Sequence, residues 1–134
     1  MPSNLKYSNG TRNAQQQGLI TYAGTGSKIK LYDGSQPANA NTAVSTQTML
    51  VEMTITGGFG TDSNGTLTLG AVTSNAAVAT GTATWFRITK SDGTTVVMDG
   101  SVGTSNSDLI LDNTNIAATQ VVGISSGTII RANQ

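Results

Sequence analysis

Three aspartates in the second half of the chain have the residue type and spacing that could support hydrolytic chemistry. Asp99, Asp108 and Asp112 lie close together in the sequence, and a glycosidase needs two carboxylates held roughly 5 to 10 Å apart. Asp108 and Asp112 flank Leu-Ile-Leu, and on one strand they would stand roughly 13 Å apart. Because that separation suits neither a retaining nor an inverting enzyme, these carboxylates are predicted to be solubilising groups at strand ends.

Two short polar motifs share features with ligand-binding loops. The stretch GTGSKIK, Gly24–Lys30, has the glycines of a phosphate loop, but a serine separates its last glycine from the lysine, and a strand pattern follows. The stretch DSNG, Asp62–Gly65, places oxygen ligands at alternate positions as a calcium loop does, but the next carboxylate is Asp92. The first motif is predicted to bind no phosphate, and the second to form a polar turn with Asn-Gly at its tip.

The residue types most used in catalysis and metal binding are missing. The 134-residue chain has no histidine and no cysteine, which excludes Ser-His-Asp triads, cysteine nucleophiles and thiolate zinc sites. Seven basic and seven acidic residues are scattered without a basic stripe, so neither nucleic acid nor a membrane surface is an expected partner. We therefore predict a protein that is not an enzyme and that holds no cofactor or metal.

Short alternating segments between turn residues predict an all-β fold. In 49–55, for example, one face carries Met49, Val51, Met53 and Ile55, and the other carries Glu52 and Thr54, which is typical of a strand with one buried face. No long helical pattern separates such segments, so we predict an antiparallel β-sandwich, jelly-roll-like rather than immunoglobulin-like. About eight strands are predicted: 28–33, 49–55, 66–72, 78–90, 94–102, 109–111, 120–125 and 128–132.

The N-terminal segment differs from the rest of the chain. Residues 1–24 are predicted to be an arm or to contain one or two helical turns, with Thr11 as a candidate N-cap and Gly18 or Gly24 as the end. Residues 25–134 are predicted to form a single β-sandwich domain, because 134 residues are too few for two ordinary domains.

The clearest predicted hairpin lies within Gly81–Gly103, where Asp92-Gly93 predicts a tight primed turn. Trp85 and Phe86 are adjacent, so on a strand they point to opposite faces. Phe86 shares its face with an isoleucine and is assigned to the core. Trp85 shares its face with Arg87, and both are predicted to lie near an interface, since tryptophan is common at partner contacts. The alternative is that a bulge or the N-terminal arm buries both aromatic residues.

Three segments carry a resemblance to a known family. LYDGSQPA (Leu31–Ala38), TATWFRI (Thr82–Ile88) and DGSVGTSNSDLILD (Asp99–Asp112), in this order, resemble head decoration (cement) proteins of tailed bacteriophages. The resemblance implies a jelly-roll sandwich that self-associates as a dimer or trimer and clamps neighbouring subunits of the major capsid protein. It also implies a place on the capsid exterior of the virion after synthesis in the bacterial cytoplasm. The family has no catalytic residues to carry over.

The predicted contact residues follow from the hypothesis of a decoration protein, and two alternative functions remain open. The arm and the tryptophan face are predicted to touch the partner through Leu5, Tyr7, Ile20, Tyr22, Trp85 and Arg87. One alternative is a tail-fibre or carbohydrate-binding adhesion module. The other is a small glycosidase or lyase using Asp99, Asp108 or Asp112.

Overall fold

The computed structural model describes residue 4, residues 6–64 and 66–124, and the backbone of residues 128–130. These residues form a β-rich fold with one helix, so the predicted β-rich class is confirmed. The elements are α1 (Asn9–Ala23), β1 (Lys28–Tyr32), β2 (Met49–Ile55), β3 (Gly60–Ser63), β4 (Thr66–Leu69), β5 (Val72–Thr73), β6 (Asn75–Ala76), β7 (Gly81–Thr82), β8 (Trp85–Thr89), β9 (Val96–Gly103), β10 (Leu109–Ile110), β11 (Asn115–Ile116), β12 (Val121–Val122) and β13 (Thr128–Ile130).

Six of these strands form the main sheet, in the order β10-β9-β8-β1-β2-β5. Its neighbours pair antiparallel except for β10 and β9, which run parallel with Leu109 opposite Val102. The sheet is therefore mixed, whereas the sequence predicted antiparallel pairing throughout. The chain from β9 to β10 closes this parallel pair through a short loop, in which the Asp108 carboxylate accepts hydrogen bonds from the N–H and hydroxyl of Ser101 at 2.9 and 3.1 Å.

Two further antiparallel pairs, β6 with β12 and β7 with β11, continue the same register: Ala76 lies opposite Val121, and Thr82 lies opposite Asn115. Between them the N–H of Ala77 donates to the carbonyl of Gln120 at 2.7 Å, and beyond them the N–H of Ala83 donates to the carbonyl of Thr114 at 2.9 Å. The segments 75–83 and 114–122 thus form one interrupted two-stranded ribbon, which we call the ribbon. The third small sheet has the order β13-β4-β3.

The long strand predicted at 78–90 is divided between the ribbon and the main sheet. The N–H of Ala83 bonds to Thr114 of the ribbon, whereas the next N–H, of Thr84, donates to the Tyr32 carbonyl of β1 at 2.9 Å. The chain therefore changes partner within one residue. Polar and apolar residues alternate from Thr82 to Trp85, across this corner, so the sequence pattern shows no break at the change of partner.

The main hydrophobic core lies between one face of the main sheet and the inner sides of the ribbon, β4 and α1. Ile29, Leu31 and Ile88 are at most 1% exposed on the sheet side, and Leu67 of β4 is fully buried opposite them. The inward residues predicted in β1, Ile29 and Leu31, are buried, whereas β8 is buried on both faces rather than on alternate residues. In β2, Leu50 is an extra residue at the register shift, since Leu31 pairs with Val51 and Tyr32 pairs with Met49. Leu50 is buried in the core, and Met49 is only half-buried.

The N-terminal helix is longer than the one or two turns predicted. Ser8, not Thr11, is the N-cap, and its hydroxyl accepts from the N–H of Thr11 at 3.1 Å. Gly18 lies within the helix, and Gly24, with φ +71°, ends it as predicted. Ala23 is 2% exposed and belongs to the core cluster, so α1 is packed on the β-rich body. This helix is not long and apolar enough to cross a membrane.

Both predicted turns exist, but one has a different geometry. Ser63 pairs with Thr66, and Asn64 has a positive φ of +51°. The predicted polar turn between β3 and β4 is therefore confirmed at Asn64. In the second hairpin the ladder ends with Thr89 opposite Val96, and beyond it the N–H of Lys90 donates to the Thr95 carbonyl at 2.9 Å. The loop 91–94 therefore has four residues rather than the two of a primed turn. Of its predicted pair Asp92-Gly93, only the glycine has a positive φ.

Candidate protein-contact surface

A row of four charged residues crosses the face of the main sheet that points away from the core. Glu52, Lys30, Arg87 and Asp99 lie directly opposite one another in turn on β2, β1, β8 and β9. We call this side of the main sheet the charged face. Alternation along each strand places these residues opposite the core side chains, as the sequence predicted for Lys30 and Arg87.

Arg87 and Asp99 form the buried centre of the charged face. The Arg87 Nε and Nη2 atoms donate to the two carboxylate oxygens of Asp99 at 2.7 and 2.8 Å, and Nη2 also donates to the Thr42 carbonyl at 2.9 Å. The two side chains are only 6% and 4% exposed. The hydrogen bond to Asp99 raises the pKa of Arg87 above its usual value. Such a two-bond geometry, with a third acceptor, is what a buried ion pair needs.

Trp85 is buried on this same face, as in the alternative in which both adjacent aromatic residues are buried. Its ring stacks on Tyr32 with centroids 4.5 Å apart, its Nε1 donates to the Asp33 carbonyl at 3.0 Å, and it has no exposed surface. The cover comes from the polar connection after β1, which folds back over the sheet and supplies carbonyl acceptors at Asp33 and Thr42. Trp85 and Arg87 therefore present almost no surface to a partner in this conformation, and a role for them in partner contact stays a prediction.

The other predicted contact residues are distributed differently. Phe86 is 4% exposed and in the core, as predicted. Tyr22 is 50% exposed at the end of α1, with the Lys90 ammonium 4.0 Å from its ring centroid. Ile20 is half-buried against the core, and Tyr7 is half-buried before the helix. Leu5 lies outside the described residues.

The three aspartates considered for hydrolysis are not brought together. Asp99 is bound to Arg87 on the charged face. Asp108 lies on the other side of β9. A Cβ atom added to Gly100 would point toward the Phe86 ring and would lie 3.2 Å from the Oδ2 atom of Asp108. Asp112 is exposed. Within the described part of the chain, no three acidic residues are close enough to hold a metal ion.

The ribbon has one buried and one open face. Ala77, Ala83, Ile116 and Val122 are at most 8% exposed on the inner side. The alternate residues face outward, and Val78 and Val121 are 67% and 69% exposed. We call this surface the outer ribbon face. All eight of its residues are exposed: Ala76, Val78, Thr80, Thr82, Asn115, Ala117, Thr119 and Val121.

The outer ribbon face carries no charge and is not flat. The sequence has no charged residue from 63 to 86 or from 113 to 130. These two uncharged runs are the feature of the sequence that could have indicated this surface. A shallow groove of about 320 Å³ opens beside it, lined mainly by Thr80, Thr82, Asn115 and Ala117. Large exposed aliphatic residues on an uncharged sheet face are the kind of surface that proteins use for partner contact.

At the edge of the ribbon formed by segment 114–122, two backbone N–H groups are already hydrogen-bonded and cannot pair with an incoming strand. The N–H of Asn115 donates to the Asn113 side chain at 2.9 Å, and the N–H of Ala117 donates to the Gln120 side chain at 3.0 Å. Because these donors are already bound, the edge is a poor template for strand addition. A partner would therefore contact the side chains of the outer ribbon face.

Thr119 adds backbone strain at the same surface. Its φ is +73°, a left-handed conformation that is unusual for a β-branched residue and costs roughly 1–2 kcal/mol. Strained residues of this kind concentrate at functional positions.

Comparisons of this chain with protein-family models, with curated proteins and with solved structures found no significant match.

Proposed function

We propose that this protein is a non-enzymatic structural component of a tailed-phage virion that decorates the capsid exterior and cements neighbouring copies of the major capsid protein. In this proposal the β-rich fold is a jelly-roll-like antiparallel sandwich with one locally parallel strand pair. The chain assembles as a dimer or trimer on the capsid surface. The family resemblance of the sequence suggests this role, and the outer ribbon face is the single structural observation that supports it.

The size of the outer ribbon face favours a lattice partner over a single soluble one. A stable binary interface uses roughly 20–30 residues on each side, whereas this face has eight exposed residues. One such contact is weak, but a contact repeated across a symmetric shell gains strength because neighbouring contacts form at high effective concentration. A ligand that binds only the assembled shell stabilises that shell by mass action.

The absence of charge on this face suits the same partner. Copies of a decoration protein stand close together on a shell, and an uncharged surface neither repels its neighbours nor loses binding at high salt. The charged residues that could interfere are held elsewhere, with Arg87 and Asp99 neutralising each other under cover. The separation of Asp99 from Asp108 also gives the hydrolase alternative no converging acid pair.

The test is a binding measurement on capsid shells assembled from the major capsid protein of the same genome. We expect the wild-type chain to co-sediment in hundreds of copies per particle, and the double variant Val78→Asp, Val121→Asp to lose most of its occupancy. The matched control is Ile110→Asp, since Ile110 is also an exposed aliphatic residue (49%) but lies on β10, outside the outer ribbon face. Full occupancy of the double variant, or a few copies per particle for the wild type, would contradict the proposal.

A further inference from the structure

A second groove lies on the charged face, at a distance from the ribbon surface and unused by the proposed function. It has a volume of about 380 Å³ and runs between the covering segment 41–44 and the hairpin loop that contains Thr94. Lys30 and Tyr32 of β1 line it from the sheet side. Its size lies within the range of small-molecule sites, which is roughly 300–1,000 Å³.

The charges around this groove do not cancel. Lys28 and Lys30 share a single carboxylate, that of Glu52, at 3.8 and 3.7 Å. Arg87 is fully matched by Asp99 through two short hydrogen bonds. One positive charge is therefore left over among these sheet residues, while Lys90 and Asp92, at the hairpin loop, balance each other in formal charge. Of the two lysines, only Lys30 lines the groove, so the excess charge acts there.

Lys30 is held in place at the groove wall. Its ammonium donates to the Gly93 carbonyl at 2.6 Å, and its side chain is 15% exposed. The ammonium has three donors, and the Gly93 carbonyl takes one. The distance of 3.7 Å to Glu52 is too long for a good hydrogen bond. A partly desolvated ammonium with donors to spare is a suitable partner for an oxyanion.

The rest of the lining combines hydroxyl and amide groups with aliphatic carbon. Tyr32 contributes its phenol, and burial raises the pKa of Tyr32, so the group stays protonated as a donor. Asn41 and Thr94 face the groove from the two covering loops, and both are exposed. Val44 and Val96 supply apolar surface. The polar groups suit ligand hydroxyls, and the valines suit the carbon skeleton that carries them.

We propose that this groove binds a small organic carboxylate that carries hydroxyl groups, with the carboxylate on Lys30 and the hydroxyls on Tyr32, Asn41 and Thr94. The bound ligand contacts both segment 41–44 and the hairpin loop, because residues of both line the groove. The inference stands independently of the capsid role, since it uses none of the residues of the outer ribbon face.

The experiment is a titration of the full chain with gluconate, followed by the backbone amide chemical shifts of Thr42 and Thr94. We expect a dissociation constant on the order of 1 mM, as one ion pair with a few hydrogen bonds would give. Lys30→Gln is expected to weaken binding about tenfold, since it removes one charge-assisted hydrogen bond. Glu52→Gln is expected to strengthen binding severalfold, because it frees the ammonium of Lys30.

The opposite signs of these two variants separate binding from general damage to the fold. A variant that merely disturbs the sheet would weaken binding in both cases. Should Lys30→Gln fail to fold, Thr94→Val at its exposed loop position replaces it and is expected to weaken binding about threefold. The proposal would be overturned if gluconate caused no chemical-shift change in the wild type. It would also be overturned if Lys30→Gln and Glu52→Gln bound gluconate with equal affinity.

Two further ligands test each half of the ligand class. Glucose has hydroxyls without the charge, and acetate has the charge without hydroxyls, so both are expected to bind at least threefold more weakly than gluconate. Glucose binding as tightly as gluconate would overturn the role of Lys30. Acetate binding as tightly would overturn the role of the hydroxyl-rich lining.

Discussion

The charged face and the outer ribbon face are both sheet surfaces turned away from the main core, yet they have opposite environments. The charged face contains Arg87 and Asp99 at about 5% exposure, whereas Val78 and Val121 on the outer ribbon face are about two-thirds exposed. An ion pair is covered on one face and two valines are open on the other, the reverse of the usual distribution of charged and aliphatic residues.

A covering segment, and not hydrophobicity alone, therefore decides which face is buried in this protein. The connection after β1 brings backbone carbonyls to Trp85 and Arg87, so the polar groups beneath it are satisfied when water is removed. No described segment lies over the outer ribbon face, all of whose residues are exposed. A surface that the chain leaves open in this way is available for a partner.

The largest expected effect comes from breaking the centre of the charged face. Arg87→Met leaves the Asp99 carboxylate buried without its cation, which we expect to cost about 3–5 kcal/mol of unfolding free energy in a denaturant titration. The matched variant Arg87→Met, Asp99→Leu removes both charges and is expected to recover much of that loss. A loss below about 1 kcal/mol for the single variant would mean that the charged face is open to water and would remove the contrast between the two faces.

A smaller effect on stability is expected from substitutions of the two adjacent valines of β12, which lie on opposite faces of the ribbon. Val122 is 8% and Val121 is 69% exposed. Val122→Thr buries a hydroxyl of nearly the same shape and is expected to cost about 1.5 kcal/mol. Val121→Thr is expected to change stability by less than about 0.5 kcal/mol. Equal effects in thermal or chemical unfolding would contradict the assignment of inner and outer faces.

Thr119 offers a change in the opposite direction. Thr119→Asn is expected to raise the unfolding free energy by about 0.5–1 kcal/mol, because asparagine tolerates the left-handed conformation better than a β-branched residue. Thr73→Asn, at an exposed strand position, is the control and is expected to bring no gain. If the strain serves partner contact, the stabilised variant binds capsid shells less well than the wild type. A loss of stability in Thr119→Asn would show that the backbone is relaxed there.

The smallest effect concerns Asp92 in the hairpin loop beside the charged face. Hydrogen bonds from Thr95 and Thr94 lower the pKa of this carboxyl from 3.8 to about 2. A carboxyl with a lowered pKa in the folded state stabilises the fold above pH 4, and this contribution is lost as the pH falls toward 2. Asp92→Asn is expected to abolish this part of the pH dependence in unfolding experiments between pH 4 and 2. Because Asp92 is exposed, the change is small, and an unchanged profile would refute the assignment.

Local patterns in the sequence predicted part of this fold. Alternation assigned Phe86 and Trp85 to opposite faces and placed Ile29 and Leu31 inward, because the side-chain period of a strand is a property of its backbone. The helix was under-predicted since its sequence has no apolar stripe and contains Gly18, and the docking of Ala23 in the core contributes to holding it in place. The division of 78–90 between two sheets also left no local mark.

The candidate surfaces were predictable to different degrees. The charge-free runs 63–86 and 113–130 are visible in the sequence, but nothing local indicates that they pair and expose Val78 beside Val121. The sequence offered burial of Trp85 only as an alternative, because the cover depends on the connection after β1, whose Asp33 carbonyl accepts from the Trp85 indole across a separation of 52 residues.

Composition and strand period are local properties, so the amino-acid sequence was enough to assign the β-rich class, the faces of individual strands, and the absence of histidine and cysteine from any chemistry. Which faces are covered, which strands run parallel, and which charges meet became known only from the folded chain. Those outcomes depend on contacts between distant segments, whose free energies come from burial and from hydrogen bonds that no single segment contains.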